Sequence, residues 1–256
     1  PGRSRCVVAM RRMAGSVYLP PNLPLRLPLR GLPRLLRAGL LAVVLAAGAA
    51  VAAASRLQIA PDGDPDLVLG VAAYEAHDTS AALDHFRKAA ARNQRTAQFN
   101  LAVLLLFGDG VPADPPTGLQ WLRRSADNGM PRAQHALGLL YDRGEFVPRS
   151  VTEATNWYRK AAEQGWRDAQ LNLATQYFLG RGAPRDYREA ARWYEKAAEQ
   201  GDAGAAYILA SLHEHGYGVE VSLLQAFYWY SQAASRGDPT AAIKARAVAD
   251  QMRPAQ

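Results

Sequence analysis

The chain has 256 residues, of which 49% are hydrophobic, so it is long enough to bury the core of one or two domains. Thirty basic and 23 acidic residues give a formal net charge of +7, but eight of the basic residues, all arginines, lie in residues 1–54, which contain no Asp or Glu. The rest of the chain holds 22 basic and 23 acidic side chains. This balance excludes the concentrated positive charge that nucleic-acid binding requires.

The N-terminal part of the chain has the composition of an export signal. Residues 1–37 form a basic, Pro- and Arg-rich leader that we expect to be disordered or to precede the true start, and residues 38–54 carry no charge and end in small residues. This order is typical of a secretory signal peptide, and we favour its cleavage. The alternative is an uncleaved membrane anchor, near the short limit for a bilayer span. Both alternatives predict that the remainder lies in the bacterial periplasm or envelope.

From residue 97 onward the sequence repeats every 36 residues. The stretch "WYRKAAEQG" begins at Trp157, and "WYEKAAEQG" begins at Trp193. A fixed period of this size is typical of stacked repeats. The same spacing relates Trp121, Trp157, Trp193 and Trp229; Ala97, Ala133, Ala169, Ala205 and Ala241; Leu101, Leu137, Leu173 and Leu209; and Gly108, Gly144, Gly180 and Gly216.

Each period predicts two helices. In "AQLNLATQYFLGRG" the apolar positions recur every four residues, on one helical face, and Gly180 ends the helix. After a short loop, "YREAARWYEKAAEQG" forms a second apolar stripe that includes Trp193 and ends at Gly201. Because the tryptophans recur in register beside small residues, we interpret them as core side chains.

These two stretches resemble the Sel1-like repeat, a 36-residue relative of the tetratricopeptide repeat. The resemblance covers four consecutive units, 97–132, 133–168, 169–204 and 205–240. Residues 63–94 resemble an ordinary tetratricopeptide unit, and 241–256 read as a capping helix and tail. The resemblance implies an all-α fold, namely an α-solenoid of stacked antiparallel helix pairs (a tetratricopeptide/Sel1-like superhelix), preceded by the disordered or signal/anchor segment.

Two departures from the repeat lie in its loops. Phe146 stands where the other three units have a glycine, and because a bulky residue is strained at positive φ, we expect that loop to take another path. Asp114 and Asp186 become Ser150 and Ser222 in the alternate units. This change should be harmless, because Asp and Ser both form local side-chain turns.

Catalytic and metal-binding patterns are not evident in the sequence. His213 and His215, two apart on a helix, point in nearly opposite directions, so we predict no metal site there. Because the sequence has none of the usual catalytic or cofactor-binding motifs, we also predict no catalytic residue and no cofactor. Some Sel1-like proteins are β-lactam-binding or hydrolysing and rich in cysteines. The one cysteine of this chain, Cys6, lies in the leader, so the resemblance does not carry that activity over.

The resemblance instead implies a protein-protein interaction scaffold or adaptor of the cell envelope. In tetratricopeptide arrays the first helix of each unit lines the concave face, which binds a partner protein or peptide in its groove. The residues at the sixteen corresponding positions differ between the units, and several of them are apolar, which favours an interaction surface. They are Phe99, Val103, Leu106, Phe107, His135, Leu139, Asp142, Arg143, Leu171, Thr175, Phe178, Leu179, Tyr207, Ser211, Glu214 and His215.

Three alternatives remain open for this face. Its variation could reflect drift on a solvated surface, or neighbouring helices or the leader could cover it. The functional alternative is a carbohydrate-binding envelope-assembly factor or a hydrolase-like Sel1 protein that uses the same groove, with Trp or Tyr stacking on sugars. The membrane is a further expected partner if the N-terminal segment is not cleaved.

Overall fold

The structure is a computed structural model that describes residues 63–253. The predicted leader at 1–37 and the predicted signal or anchor segment at 38–54 lie outside the described residues. Among residues 63–253, none of the helices has the length and hydropathy that a bilayer span requires.

Residues 63–253 contain eleven α-helices and no β-strand, which confirms the predicted all-α fold. The helices are α1 (Pro65–Glu75), α2 (Thr79–Ala91), α3 (Arg95–Phe107), α4 (Pro115–Asp127), α5 (Pro131–Arg143), α6 (Val151–Glu163), α7 (Arg167–Leu179), α8 (Tyr187–Glu199), α9 (Ala203–His215), α10 (Leu223–Ser235) and α11 (Pro239–Gln251). Each predicted 36-residue unit therefore supplies one helix pair, and α11 is the predicted capping helix.

The described residues fall into two compact units, 63–164 and 165–253. In the first unit, α1 to α6 pack in chain order, each helix against the next. In the second unit, α7 to α11 do the same. Within each unit, the stacking of adjacent helix pairs is the arrangement that the repeat predicts.

The loop residues of the repeat begin and end the helices as expected. The side chains of Asp114, Ser150, Asp186 and Ser222 each accept a backbone N–H in the first turn of the helix that follows, so the exchange of Asp for Ser preserves the N-cap. The first helices α3, α5, α7 and α9 each end at a left-handed glycine, with φ between 66° and 74°. Glycine reaches this conformation without steric cost.

Our prediction for the loop at Phe146 was wrong. Phe146 has φ of 59°, close to the 66° of Gly182 and the 72° of Gly218, so the loop follows the same path as its sister loops. Its ring packs edge-on against Phe107, with centroids 5.8 Å apart. This tertiary contact holds a bulky side chain in a backbone conformation that usually costs it on the order of 1 kcal/mol or more.

The core is built from the columns that the period predicts, with one addition. The repeated alanines and leucines of the first helices are fully buried. In α4, α6, α8 and α10 the deepest large side chains are Leu122, Tyr158, Tyr194 and Tyr230, each at most 1% exposed. The neighbouring tryptophans lie nearer the surface, since Trp193 is 5% exposed and Trp121 and Trp157 are only partly buried.

Amide pairs with one buried member recur with the repeat and explain the Gln in "AAEQG". Gln200 donates from Nε2 to Oε1 of Gln170 at 2.7 Å, and Gln164 donates to Gln134 at the same distance. In the preceding repeat Asn128 donates to Gln98 at 2.9 Å. Each pair joins the first helix of a repeat to the end of its second helix, so the shared "EQG" ending is part of the scaffold.

Candidate partner-binding surface

Ten of the sixteen side chains of the predicted partner-binding face are buried in the structure. A first helix such as α3 or α5 lies between two second helices, which cover most of its circumference. The exposure that we expected is therefore not found for these ten, and their role in binding stays a prediction. They are Phe99, Val103, Leu106, His135, Leu139, Leu171, Thr175, Phe178, Tyr207 and Ser211.

The other six side chains are partly exposed, and they share one location. They are Phe107, Asp142, Arg143, Leu179, Glu214 and His215. All six lie in the last turn of a first helix, directly before the glycine that ends it. The accessible part of the predicted face is thus its edge next to the loops, which we call the loop edge.

In the first compact unit, residues 63–164, the loop edge presents an aromatic pair beside charged groups. The ring of Phe146 is 43% exposed and contacts Phe107 edge-on. Arg143 lies 3.7 Å from Glu145 across their nearest charged atoms, and its side chain is 9% exposed. The combination of an apolar ring with charged and backbone groups suits a polypeptide better than a purely apolar ligand.

In the second compact unit, residues 165–253, four rings follow one another along the loop edge. The centroids of Phe178 and Tyr187 lie 5.3 Å apart, and those of Tyr187 and Tyr217 lie 5.5 Å apart. The imidazole of His215 stacks on Tyr217 at 6.0 Å with an interplanar angle of 21°. All but Phe178 are partly exposed, so the row combines a buried base with accessible aromatic faces.

Three residues of this edge were missed by the sequence reasoning. Phe146, Tyr187 and Tyr217 lie in or just after the loops, whereas the prediction considered only the first helices. A signal did exist, because Tyr217 occupies a loop position that holds a charged residue in the other three Sel1-like units. An aromatic residue at such a position stands out once the units are aligned.

Glu214, on the loop edge of the second compact unit, forms a mostly buried ion pair with Lys244. The Glu214 carboxylate accepts hydrogen bonds from the Tyr230 hydroxyl at 2.7 Å and from Nζ of Lys244 at 3.0 and 3.1 Å. Burial raises the pKa of Glu214, but the hydrogen bonds from Tyr230 and Lys244 outweigh burial and hold that pKa below its ordinary value. The pKa of Tyr230 is raised, mainly by burial and to a smaller extent by its hydrogen bond to Glu214. Glu214 therefore fastens the capping helix to α9.

The two histidines of "SLHEHG" make separate local contacts. Nδ1 of His215 lies 2.9 Å from the Ser211 carbonyl, and Nδ1 of His213 lies 3.4 Å from the Glu220 carbonyl. Across residues 63–253 no group of three or more His, Cys, Asp or Glu side chains is arranged to hold a metal ion. The chemistry that the loop edge offers is recognition by aromatic packing and charge.

The sequence model of the Sel1 repeat matches five segments of the chain, residues 70–94, 96–130, 131–166, 167–202 and 203–238. The last four agree within two residues with the units that the period defined. The first extends the Sel1 match into the segment that resembled a tetratricopeptide unit. Sel1 repeat proteins generally bind protein partners, and this fold typically serves as a non-catalytic scaffold.

Two solved bacterial structures are similar to the chain. A Sel1 repeat protein from Oxalobacter formigenes is 31% identical with a TM-score of 0.66, and the match covers 70% of this chain and 73% of that protein. The protein c5321, a protective antigen of uropathogenic Escherichia coli with an SLR fold, is 34% identical with a TM-score of 0.65. That match covers 70% of this chain but only 39% of the antigen. None of the curated proteins matches the chain significantly. The extent of the repeat match and these structural likenesses show that the chain belongs to the Sel1 repeat family.

Proposed function

We propose that the chain is a non-catalytic adaptor that binds a partner protein or peptide at the loop edge of its first helices. The observation that carries the proposal is Phe146. This residue keeps a bulky, 43% exposed ring at a left-handed backbone position where the other three Sel1-like units have glycine. A costly backbone conformation that presents an exposed aromatic ring is an arrangement that binding would explain and packing alone would not require.

The aromatic row of the second unit supports the same function. Tyr187, Tyr217 and His215 offer partly exposed rings at fixed spacing, and large rigid side chains of this kind anchor protein interfaces at low entropic cost. Phe178, a buried member of the predicted face, packs edge-on against the Tyr187 ring and supports it. In this proposal the first-helix residues position the anchors, and the loop residues touch the partner.

The direct test uses a photoreactive phenylalanine analogue at position 146 or 217 of the full chain, in its native host. We expect each position to crosslink to one defined protein. Glu163, an exposed residue at the end of α6, lies about 18 Å along that helix from its loop end. It is the control position and should give no specific product. Equal crosslinking from position 163 would contradict the proposal.

Two variants copy residues that the sister repeats already carry. Phe146→Gly restores the usual glycine and also relieves backbone strain, so the variant should keep its helical circular dichroism while losing capture of the crosslinked partner. Tyr217→Arg reproduces the "GRG" loop around Arg181. If both variants capture the partner as well as the parent chain does, the loop edge is not the binding surface. Glycan binding that Tyr217→Arg abolishes, with no protein captured, would instead support the carbohydrate-binding alternative.

We further propose that this binding takes place in the bacterial envelope, outside the cytoplasmic membrane. The support is the basic leader followed by the uncharged segment 38–54, which lies outside the described residues. A C-terminal alkaline phosphatase fusion tests the proposal, because this enzyme is active only after export. The fusion should be active, and deletion of residues 38–54 should abolish activity. An inactive full-length fusion that accumulates normally would overturn the assignment.

A further inference from the structure

Helix α10 carries no charged residue, which separates it from the other second helices of the Sel1-like repeats. Over the same thirteen positions α4 carries three charged residues, α6 carries four and α8 carries six. The outward side of α10 and its preceding loop is apolar instead. Val221, Leu224, Phe227 and Tyr228 are 66%, 63%, 37% and 49% exposed, and we call these four side chains the α10 face.

Three of the four residues of the α10 face stand where the two preceding repeats have polar residues, and Phe227 is the exception, because α8 has Ala191 there. Leu224 and Tyr228 stand where α8 has two arginines and α6 has threonine and asparagine. Further along the same side, two serines stand where α8 has two glutamates. The equivalent positions are Arg188, Thr152 and Leu224; Arg192, Asn156 and Tyr228; Glu195, Arg159 and Ser231; and Glu199, Glu163 and Ser235.

The repeated tryptophan shows the same change. In α4, α6 and α8 a basic side chain lies over the indole, at 4.8 Å for Arg124 on Trp121, 3.9 Å for Lys160 on Trp157 and 4.5 Å for Lys196 on Trp193. In α10 the corresponding residue is Gln232, and Trp229 instead contacts Tyr228 edge-on at 4.9 Å. The surface of α10 has therefore lost its charges while its packing positions are kept.

We propose that the α10 face is the contact between two copies of this chain, paired about a twofold axis with α10 against α10. In a twofold contact, residues near the axis lie close to their own copies, so a cluster of like charges there repels itself. The α8 surface, with Arg188 and Arg192, would suffer this repulsion, whereas the uncharged α10 face does not. Its polar neighbours, Ser231 and Gln232, are uncharged as well and suit the rim of an interface.

Two further points favour a second copy over a lipid surface and set the strength of the contact. Helices that lie on membranes carry Lys and Arg on their polar side, and α10 has neither. A helix of thirteen residues is about 20 Å long, so a pair of them forms an interface at the small end of the range, below about 1,200 Å² in total. We therefore expect a dimer with a dissociation constant in the micromolar range. The dimer rests on α10 and Val221 and not on Phe146 or Tyr217, so its test is separate from the crosslinking test of loop-edge binding.

The test is sedimentation velocity of the full chain over a concentration series. The parent chain, of 27.8 kDa, should show reversible doubling of its mass. Leu224→Arg with Tyr228→Arg introduces the residues that α8 carries at these positions, so the fold tolerates them there, and it should weaken self-association by about 1,000-fold. The matched control, Thr152→Arg with Asn156→Arg, makes the same change on α6 and should leave the dimer unaffected.

Complementary charges identify the second copy directly. Leu224→Glu with Tyr228→Glu should also be monomeric alone, and mixing it with the arginine variant should restore a one-to-one heterodimer. The proposal is wrong if the parent chain remains monomeric up to about 100 µM, or if the arginine variant self-associates as the parent does. Parent chain that stays monomeric but binds phosphatidylcholine vesicles through Leu224 and Tyr228 would also overturn it, in favour of a membrane contact.

Discussion

Replacing Lys244 with methionine should destabilise the second unit, because it leaves a buried carboxylate without its cation. Nζ of Lys244 lies 3.0 and 3.1 Å from the two oxygens of Glu214, and the side chains are 13% and 12% exposed. Methionine keeps most of the volume of the lysine stem, so the change removes charge more than packing.

The expected loss is about 2–3 kcal/mol at pH 7. Removal of one partner from a buried ion pair costs roughly 3–5 kcal/mol in other proteins. The loss is smaller here for two reasons: the pair keeps some contact with solvent, and the Tyr230 hydroxyl still donates to the carboxylate at 2.7 Å. Adding Glu214→Gln to the Lys244→Met variant should recover most of the loss, because an amide is neutral and still accepts the bond from Tyr230.

The loss should depend on pH with a defined sign. The pKa of Glu214 in the folded chain lies below its ordinary value of 4.5, so the pair stabilises the fold fully above about pH 4.5. That contribution disappears as the pH falls through the folded-state pKa, because a protonated Glu214 no longer attracts Lys244. The methionine variant should therefore lose less stability relative to the parent in acid than at pH 7.

The assay is urea unfolding, followed by circular dichroism, at pH 7 and at an acidic pH below the folded-state pKa of Glu214. Hydrogen exchange then tests whether the stability is lost in α11. Arg246→Met is the matched control, since Arg246 lies on the same helix and is exposed, and its cost should stay below about 0.5 kcal/mol. A cost for Lys244→Met that equals the control, or that does not change with pH, would refute the reasoning.

Substitutions at three further positions test the packing and the helix capping of the repeat. Trp193→Ala should cost about 3 kcal/mol in urea unfolding, because the indole is 5% exposed and donates to Glu189 at 3.2 Å; a cost below about 1 kcal/mol would show that the ring is not part of the core. Gly138→Ala should cost roughly 1–3 kcal/mol, since its methyl group would lie 2.5 Å from the buried Tyr158 ring, and a neutral result would mean that the ring moves freely. Partial burial raises the pKa of Asp202, so the ionised carboxylate destabilises the folded state at neutral pH. This destabilisation decreases as the pH falls through the raised pKa. Asp202→Asn, which keeps the N-cap, should therefore be at least as stable as the parent at pH 7 and gain less in acid, whereas Asp202→Ala should lose about 1 kcal/mol; equal losses for both would contradict this assignment.

The helix pairs could be predicted from the sequence because glycine and N-cap residues mark their ends at a fixed spacing. The depth of each side chain could not. Trp193 and Tyr194 both lie on the apolar stripe of α8, and the periodicity cannot rank them. The structure places Tyr194 at 0% exposure, deeper than Trp193. Depth depends on which neighbour each side chain meets, and that neighbour lies in another helix.

The loop edge was only half visible in the sequence for a similar reason. Backbone preference predicted that Phe146 would change the loop, and the contact with Phe107 outweighed that preference. Burial of the first helices stood only as an alternative to the binding face, because a sequence column does not show that a helix is covered on two sides. The amide pairs could have been predicted from the sequence, because both members of a pair change together. Gln170 and Gln200 are amides, and their equivalents in the next repeat, Ala206 and Arg236, are both replaced.

The changes in the last Sel1-like repeat are not those that random drift would produce. Gly216, Ser222 and Tyr230 keep the C-cap, the N-cap and the buried core position, so the caps and the core of this repeat are intact. Drift on a solvated face would exchange one polar residue for another, since exposed Leu and Tyr reduce solubility without adding stability. Instead, Leu224 and Tyr228 are apolar and exposed on a helix that has lost every charge. A surface that gives up its charges while its scaffold is maintained has the composition of an interface, and the arginine variants of α10 measure whether a second copy covers it.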